Sequence, residues 1–285
     1  MGTHHHLKKY IKALFEIEKQ LGCRIFFVGG YVRDLILHTD SKDIDFCVEG
    51  NGIDVARAVH KQIGGDLTVY KKFLTSSLKL KNSFILDFAT ARTETYPAPA
   101  SMPVVKPAKL KDDLYRRDFT INAIALPLLP TSLFPIPDLL IDPCGGYSDI
   151  KNKLIRVLHK KSFIDDPTRI LRAIRYSVRF GFKSEKNTAK WMEQAIKDDL
   201  LNFVSAPRLR DEFIKALEEQ KAKKIFTEFE KNGILKYFGG NFDISRLSLT
   251  AEPLEKRIKK LLANQTPEQK SEFIKKFCLP ARVAQ

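Results

Sequence analysis

Apolar residues recur at helical spacing through Leu7, Ile11, Leu14, Phe15 and Leu21, which predicts an amphipathic helix closed by Gly22. The run Arg24 to Val28 is β-branched and aromatic and predicts a strand. Gly29-Gly30 follows, then a short helix to about Leu37. From Asp43 to Val48 the pattern alternates. Ile44, Phe46 and Val48 share one face of a strand, and Asp43 and Asp45 share the other. Residues 53–63 predict a helix, and 67–70, 76–80 and 84–89 predict strands. In the last of these, Phe84, Leu86 and Phe88 alternate with Ile85, Asp87 and Ala89. Between 91 and 112 Pro97, Pro99, Pro103 and Pro107 forbid regular structure and predict a long loop. Arg116 to Ala123 predicts the opening of a helix, and 139–142 and 154–158 predict strands on either side of a Gly145-Gly146 turn. Beyond residue 160 the chain reads as helix after helix.

The longest apolar region, 121–141, is interrupted by Pro127, Pro130, Pro135 and Pro137 and cannot span a bilayer as one helix. With no internal repeat and 285 residues of which 44% are hydrophobic, the chain predicts a real core and either two domains or a head with helical appendages. The net charge of +15 favours an anionic partner, against the plainer reading of a solvated basic surface. The 4 cysteines are far apart and form no C-x-x-C pair, which argues against a zinc ribbon or a disulfide framework and for a reducing, cytoplasmic setting. His4, His5 and His6 follow Met-Gly-Thr as part of a tag and carry no metal argument.

Strand, Gly29-Gly30 and helix together form an arrangement that holds phosphate, because glycine lets an anion approach the backbone and the helix start offers free N–H groups. The alternative is an ordinary tight turn. Asp43 and Asp45 repel each other unless a cation lies between them, and Mg²⁺ favours a few carboxylates plus phosphate oxygens. The alternative is a polar strand end. Asp87, set among apolar neighbours, needs a partner. It suits a third acid of the same site, or an aspartate paired with a nearby arginine. Arg116 and Arg117 could clamp phosphate, and Asn122 offers a donor and an acceptor to a ribose hydroxyl. On a helical wheel Asp166, Arg169, Arg172, Arg175 and Arg179 cover about half the circumference, opposite Ile170, Leu171, Ile174 and Val178. Four arginines and no lysine favour planar, bidentate recognition over a solvated face. Lys221-Ala222-Lys223-Lys224, Lys256-Arg257-Ile258-Lys259-Lys260 and Lys275-Lys276 are candidate RNA-backbone contacts or simply exposed basic faces.

In this order the motifs resemble the class II tRNA nucleotidyltransferases and the related bacterial poly(A) polymerases. The resemblance covers about residues 23–215. It rests on Gly-Gly-x-Val-Arg-Asp, Asp43-x-Asp45, Ala91-Arg92-Thr93-Glu94-Thr95-Tyr96, Arg116-Arg117-Asp118-Phe119-Thr120-Ile121-Asn122-Ala123 and Asp166-Pro167-x-Arg169-Ile170-Leu171-Arg172-x-x-Arg175. It implies an α+β fold: a polymerase β-type nucleotidyltransferase head with a mixed β-sheet (1–150, with a flexible loop at about 91–112), then an all-helical neck (151–215) and a shortened helical body (216–285).

By the same resemblance Asp43 and Asp45 bind Mg²⁺ and Asp87 completes the catalytic acids. Gly29, Gly30, Arg33, Arg117, Arg172 and Arg175 contact the nucleotide, and Asn122 sits at the ribose. Asp166 and Arg169 pair with the base edge, bringing the two halves of the site into one cleft. The implied partners are the tRNA 3′ end and ATP or CTP, with no membrane. The pattern leaves the oligomeric state open.

The implied reaction is addition of C and/or A to tRNA, with the Arg92-Thr93-Glu94 loop favouring CCA or A addition over CC alone. A poly(A) polymerase, a small-molecule nucleotidyltransferase and an RNA-binding homologue without catalysis are the competing readings. Three departures from the family pattern stand out. Asp165 replaces a glutamate, Leu74 replaces the glycine of Phe-Gly-Thr, and the chain is short, so that the distal body looks abbreviated.

Overall fold

The computed structural model describes residues 2–41, 43–81, 83–129, 137–239, 242–248 and 252–279. The chain divides into two compact units. The first comprises Met1–Thr95, Pro103–Asn152 and Arg156–Leu158, and the second comprises Tyr96–Met102, Lys153–Ile155 and His159–Gln285. The expected boundary at residue 150 is not the one between the units: 151–152 and 156–158 of the expected neck fall in the first, and 96–102 of the expected head fall in the second. Pro130 and Pro135 of the apolar region fall outside the described residues.

The first unit opens with α1 (Gly2–Leu21), β1 (Arg24–Val28), α2 (Gly29–Ile36), β2 (Asp43–Glu49) and α3 (Gly52–Ile63). It continues with β3 (Asp66–Tyr70), β4 (Thr75–Lys79), β5 (Ile85–Thr90), β6 (Arg92–Thr95) and β7 (Val104–Pro107), and then α4 (Leu110–Tyr115), β8 (Ala125–Pro127) and α5 (Gly146–Lys151). Its main sheet has the strand order β3-β4-β5-β2-β1-β8. Only β2 and β5 run parallel, and they lie at its centre. On one face Phe27, Phe46 and Phe88 form a continuous aromatic row, with centroids 5.0 and 4.9 Å apart. The opposite face carries Asp43 and Asp45 at one end. Towards the other end it turns apolar at Cys47, which packs with Phe26, Val28, Leu110 and Leu114. Side-chain alternation thus gives β2 a buried face and a face that is half core, half polar.

Three sequence expectations change here. Residues 91–112 are not one loop, because β6 and β7 pair antiparallel from Arg92↔Pro107 to Thr95↔Val104. Pro97 and Pro99 lie in the connection, and Pro107 sits at the last position of β7, where its missing N–H is tolerated. Arg116 does not open a helix. It follows the end of α4, and Thr120–Asn122 make only a 3₁₀ turn. Residues 139–142 contribute a single bridge, Ala125↔Ile141, in place of a strand.

The second unit contains β9 (Leu154–Ile155), α6 (Ser162–Asp165), α7 (Thr168–Phe180), β10 (Lys183–Ser184), α8 (Lys186–Lys197), α9 (Ala206–Glu218), α10 (Ala222–Lys231), α11 (Leu254–Leu261) and α12 (Pro267–Lys276). The predicted strand at 154–158 shrinks to β9, which pairs in parallel with β10. Packing of α9, α10 and α12 rests on phenylalanines. Phe213 lies 5.1 Å from Phe226, 4.9 Å from Phe238 and 5.5 Å from Phe273, all fully buried. Each such ring removes a large apolar area from water, and edge-to-face contact adds to that. Among the described residues no helix is long and apolar enough to cross a membrane.

Candidate active site

The parallel pairing of β2 and β5 sets Asp45 opposite Asp87, and Asp43 lies two residues earlier on the same face. Three carboxylates therefore share one end of one sheet face. Asp45 keeps part of its surface open but is densely surrounded, and its lost hydration pushes the carboxyl from 3.8 up to about 6. Arg117 and the Gly30 N–H act against that rise, and Asp87 adds to it. Asp87 is also raised, by lost hydration first, with the Ser77 hydroxyl opposing and Asp43 reinforcing. Ser77 is its partner across β4 and β5.

Gly29 fits this site because nothing larger would. Its φ is +69°, and a Cβ there would come 2.8 Å from Asp45 Oδ2 and 3.1 Å from Arg117 Nη1. Gly30 N–H is already engaged with the Asp45 carboxylate. The glycine pair thus seats the acid at the start of α2 as well as opening the backbone there. Arg33, buried one turn further along, donates from Nη1 to Asn122 Oδ1 at 2.7 Å and from Nε to Asp34 Oδ1 at 2.8 Å. Asn122 in turn donates from Nδ2 to Asp118 Oδ1 at 3.0 Å. Arg33, Asn122 and Asp118 form one chain of hydrogen bonds that fixes both expected nucleotide contacts.

Arg116 and Arg117 share a partner that sequence reading missed. Asp113 is fully buried, and its Oδ1 accepts from Arg116 Nε and Nη2 at 2.9 and 2.6 Å. Its Oδ2 accepts from Arg117 Nε and Nη2 at 3.1 and 2.8 Å. Burial alone would raise the Asp113 carboxyl, but the two arginines outweigh it and hold the group below its ordinary value. The signal was present: an acid three and four residues before two arginines, the spacing at which side chains meet around a helical turn.

In the second unit Asp166 ends α6. Its Oδ1 accepts from Thr168 N–H at 3.0 Å, from Thr168 Oγ1 at 2.6 Å and from Arg208 Nη2 at 2.6 Å. Arg169 is buried and donates to Ser162 Oγ at 2.6 Å. Arg175, also buried, reaches Glu212 at 3.1 Å and Glu219 at 3.4 Å, while Arg172 lies 3.6 Å from Glu212. The wheel showed a face of arginines; the fold brings two glutamates of the α9 segment to it. Those acids and Arg208 carried no signal in a wheel drawn for one helix. Asp165 lies 3.9 Å from His159, whose imidazole is shifted down by burial, then by Arg169. Several of the expected RNA-contacting lysines are tied locally. Lys221 donates to the Val178 and Arg179 carbonyls, Lys223 to the Ser245 carbonyl, and Lys260 to Glu252.

No three His, Cys, Asp or Glu side chains among the described residues form a ready-made metal cage. The donor set still suits Mg²⁺, which takes one or two carboxylates and completes its shell with substrate phosphate oxygens and water. Crowded, under-hydrated carboxylates such as Asp45 and Asp87 gain from a cation beside them.

A mixed sheet carrying opposed aspartates beside a Gly-Gly helix start, followed by a mainly helical unit, defines a polymerase β-type nucleotidyltransferase head with a helical extension. Residues 25–156 match the poly(A) polymerase head domain, and residues 181–239 match a region described as the probable RNA and SrmB-binding site of polymerase A. The chain is 43% identical over 212 residues to an A-adding tRNA nucleotidyltransferase of Aquifex aeolicus, covering 74% of this chain and 25% of that protein. It is 36% identical over 231 residues to one of Halalkalibacterium halodurans, covering 80% of this chain and 53% of that protein. A solved CCA-adding enzyme in an apo form superposes with a TM-score of 0.79 at 35% identity, covering 98% of this chain and 69% of that one. This chain belongs to the family of poly(A) polymerases and tRNA nucleotidyltransferases. It spans between a quarter and about half the length of the A-adding relatives just described.

Proposed function

We propose that the protein adds adenosine to the 3′ end of tRNA, by attack of the RNA 3′-hydroxyl on the α-phosphate of ATP with release of pyrophosphate. The opposed pair Asp45 and Asp87 on the central strands carries this reading. The names of relatives at 43% and 36% identity favour A addition within it. Asp43 and Asp45 hold a divalent cation, which when bound supplies Lewis-acid stabilisation of charge on the phosphate oxygens. Asp87, basic for a carboxylate, accepts a hydrogen bond from the attacking hydroxyl and polarises it. Gly29, Gly30 and Arg117 receive the triphosphate. Arg33 and Asn122, locked to each other, receive the nucleotide sugar and phosphate.

Base choice falls to the helical part, taken as a neck (151–215) and a body (216–285). Asp166 accepts from the exocyclic amine of the base, and Arg169 donates to the adjacent ring nitrogen. Arg172 and Arg175 contribute positive charge to the nucleotide, tempered by Glu212. The setting is cytoplasmic, where tRNA and ATP are both at hand.

The test is incubation with tRNA ending before CC, after C and after CC, each with ATP or CTP and Mg²⁺. One adenosine added to the CC end, and nothing from CTP, is the expected result. Incorporation of C would shift the reading to CCA addition, a long ladder of A to a poly(A) polymerase. No incorporation of either nucleotide would overturn it.

A further inference from the structure

The two adjacent arginines after α4 have different fates. Arg116 spends every edge on the protein: Nε and Nη2 on Asp113 Oδ1, and Nη1 on Glu94 Oε1 at 2.7 Å. Glu94 Oε1 also accepts from Arg92 Nη2 at 2.9 Å, so Arg116 is a tie between α4 and strand β6. Arg117 commits Nε and Nη2 to Asp113 Oδ2, while its Nη1 makes only a long 3.4 Å contact with the Asn122 carbonyl. That Nη1 lies 3.1 Å from where a Cβ on Gly29 would stand, and Asp45 Oδ2 lies 2.8 Å from the same point. One buried carboxylate thus grips two guanidinium groups, an oxygen for each, and turns them to different purposes.

We propose that Asp113 is a positioning residue that sorts the pair, fixing Arg116 as a structural tie and presenting Arg117 Nη1 at the Gly29-Gly30 turn as the donor to a triphosphate oxygen. Asp113 itself touches no substrate. With Nε and Nη2 both bonded to Oδ2, the Arg117 guanidinium is held in place, so its Nη1 edge is aimed before the nucleotide arrives. Fixing it costs nothing further on binding. The inference rests on reading the first unit as a nucleotidyl-transfer site.

Equilibrium binding of ATP by calorimetry, in the presence of Mg²⁺, tests it on the full chain, with tRNA incorporation measured on the same preparations. Arg117→Lys weakens ATP binding by about tenfold or more, the worth of a charge-assisted hydrogen bond. Arg116→Lys lowers thermal stability and leaves ATP affinity within about twofold, since its contacts are all internal. Asp113→Asn weakens ATP binding as Arg117→Lys does, and the double variant Asp113→Asn/Arg117→Lys is no weaker than Arg117→Lys alone. Equal losses from Arg116→Lys and Arg117→Lys would overturn the sorting, and this comparison stands even if Asp113→Asn does not fold. Additive losses in the double variant would overturn the positioning role. A wild-type chain that binds ATP but incorporates nothing would sink the tRNA reading alone and leave this comparison intact.

Discussion

Asp45 and Asp87 stand directly opposite each other on the only parallel strand pair of the central sheet, β2 and β5. Both carboxyls are displaced upward, by lost hydration before anything else. Two under-hydrated acids on one face cost the fold stability, which is the mark of a site held for chemistry.

Replacing Asp45 by Asn abolishes nucleotide incorporation while the fold and tRNA binding survive. In magnesium-free buffer the variant is more stable than wild type at neutral pH. The folded carboxyl titrates at about 6 and the unfolded one at 3.8, so the native state holds its proton more tightly. The Asp45 contribution to wild-type stability therefore falls as pH rises from about 4 to about 6 and stays at the lower level above. The gap between variant and wild type is on the order of 2–3 kcal/mol at pH 7.5 and closes towards pH 4. Urea denaturation across that range measures it, and a pH-independent gap would contradict the assignment.

Gly29→Ala damages the site, and Gly145→Ala does not. Both glycines have positive φ, +69° and +73°, so each variant loses about 1 kcal/mol to left-handed strain. Only at Gly29 does the added methyl also meet Asp45 and Arg117; at Gly145 nothing lies within 4 Å. ATP affinity is lost in the first variant and kept in the second, as calorimetry will show.

Glu212→Ala destabilises the helical unit by about 3–5 kcal/mol, because it leaves the buried Arg175 without a principal acid partner. Burial tends to raise Glu212, but Arg172, Arg175 and Lys215 hold it below the ordinary carboxylate value. Its contribution is thus complete above the unfolded pKa and disappears as acid protonates it below that point, the opposite sign from Asp45. Chemical denaturation at pH 7 and at pH 3.5 resolves the two regimes.

Arg169→Ala relaxes base choice. Incorporation from CTP, absent in the wild type, appears in the variant and lowers the ratio of ATP to CTP incorporation, while triphosphate affinity changes less. An unchanged ratio would remove Arg169 from the selecting role. Loss of its bond to Ser162 lowers the melting temperature in parallel.

Leu74 shows how the fold can keep a shape after losing the residue that favours it. The position reads Gly in the resembled pattern, yet here a leucine holds φ +54° and ψ +38°. Its carbonyl accepts from Thr90 N–H at 3.0 Å, which anchors the turn before β4. The left-handed conformation survives because the sheet on either side imposes it.

Period and residue type were enough to read β1, β2, the Gly29-Gly30 helix start, α3 and α7, since each element's pattern lies within its own few residues. The same local logic put Asp43 and Asp45 on one face. Proline count misread 91–112, because the β6–β7 pairing joins residues 15 apart and its prolines fall where no N–H is needed. What only the tertiary structure decided is which charges meet. Asp87 is brought to Asp45 by strand order, Arg33 to Asn122 across a separation of 89 positions along the chain, and Arg175 to Glu212 by the packing of α7 on α9. A periodic pattern tells a side chain which way to face; only long-range packing supplies the partner it finds there, and with it the charge, hydration and aim on which the chemistry depends.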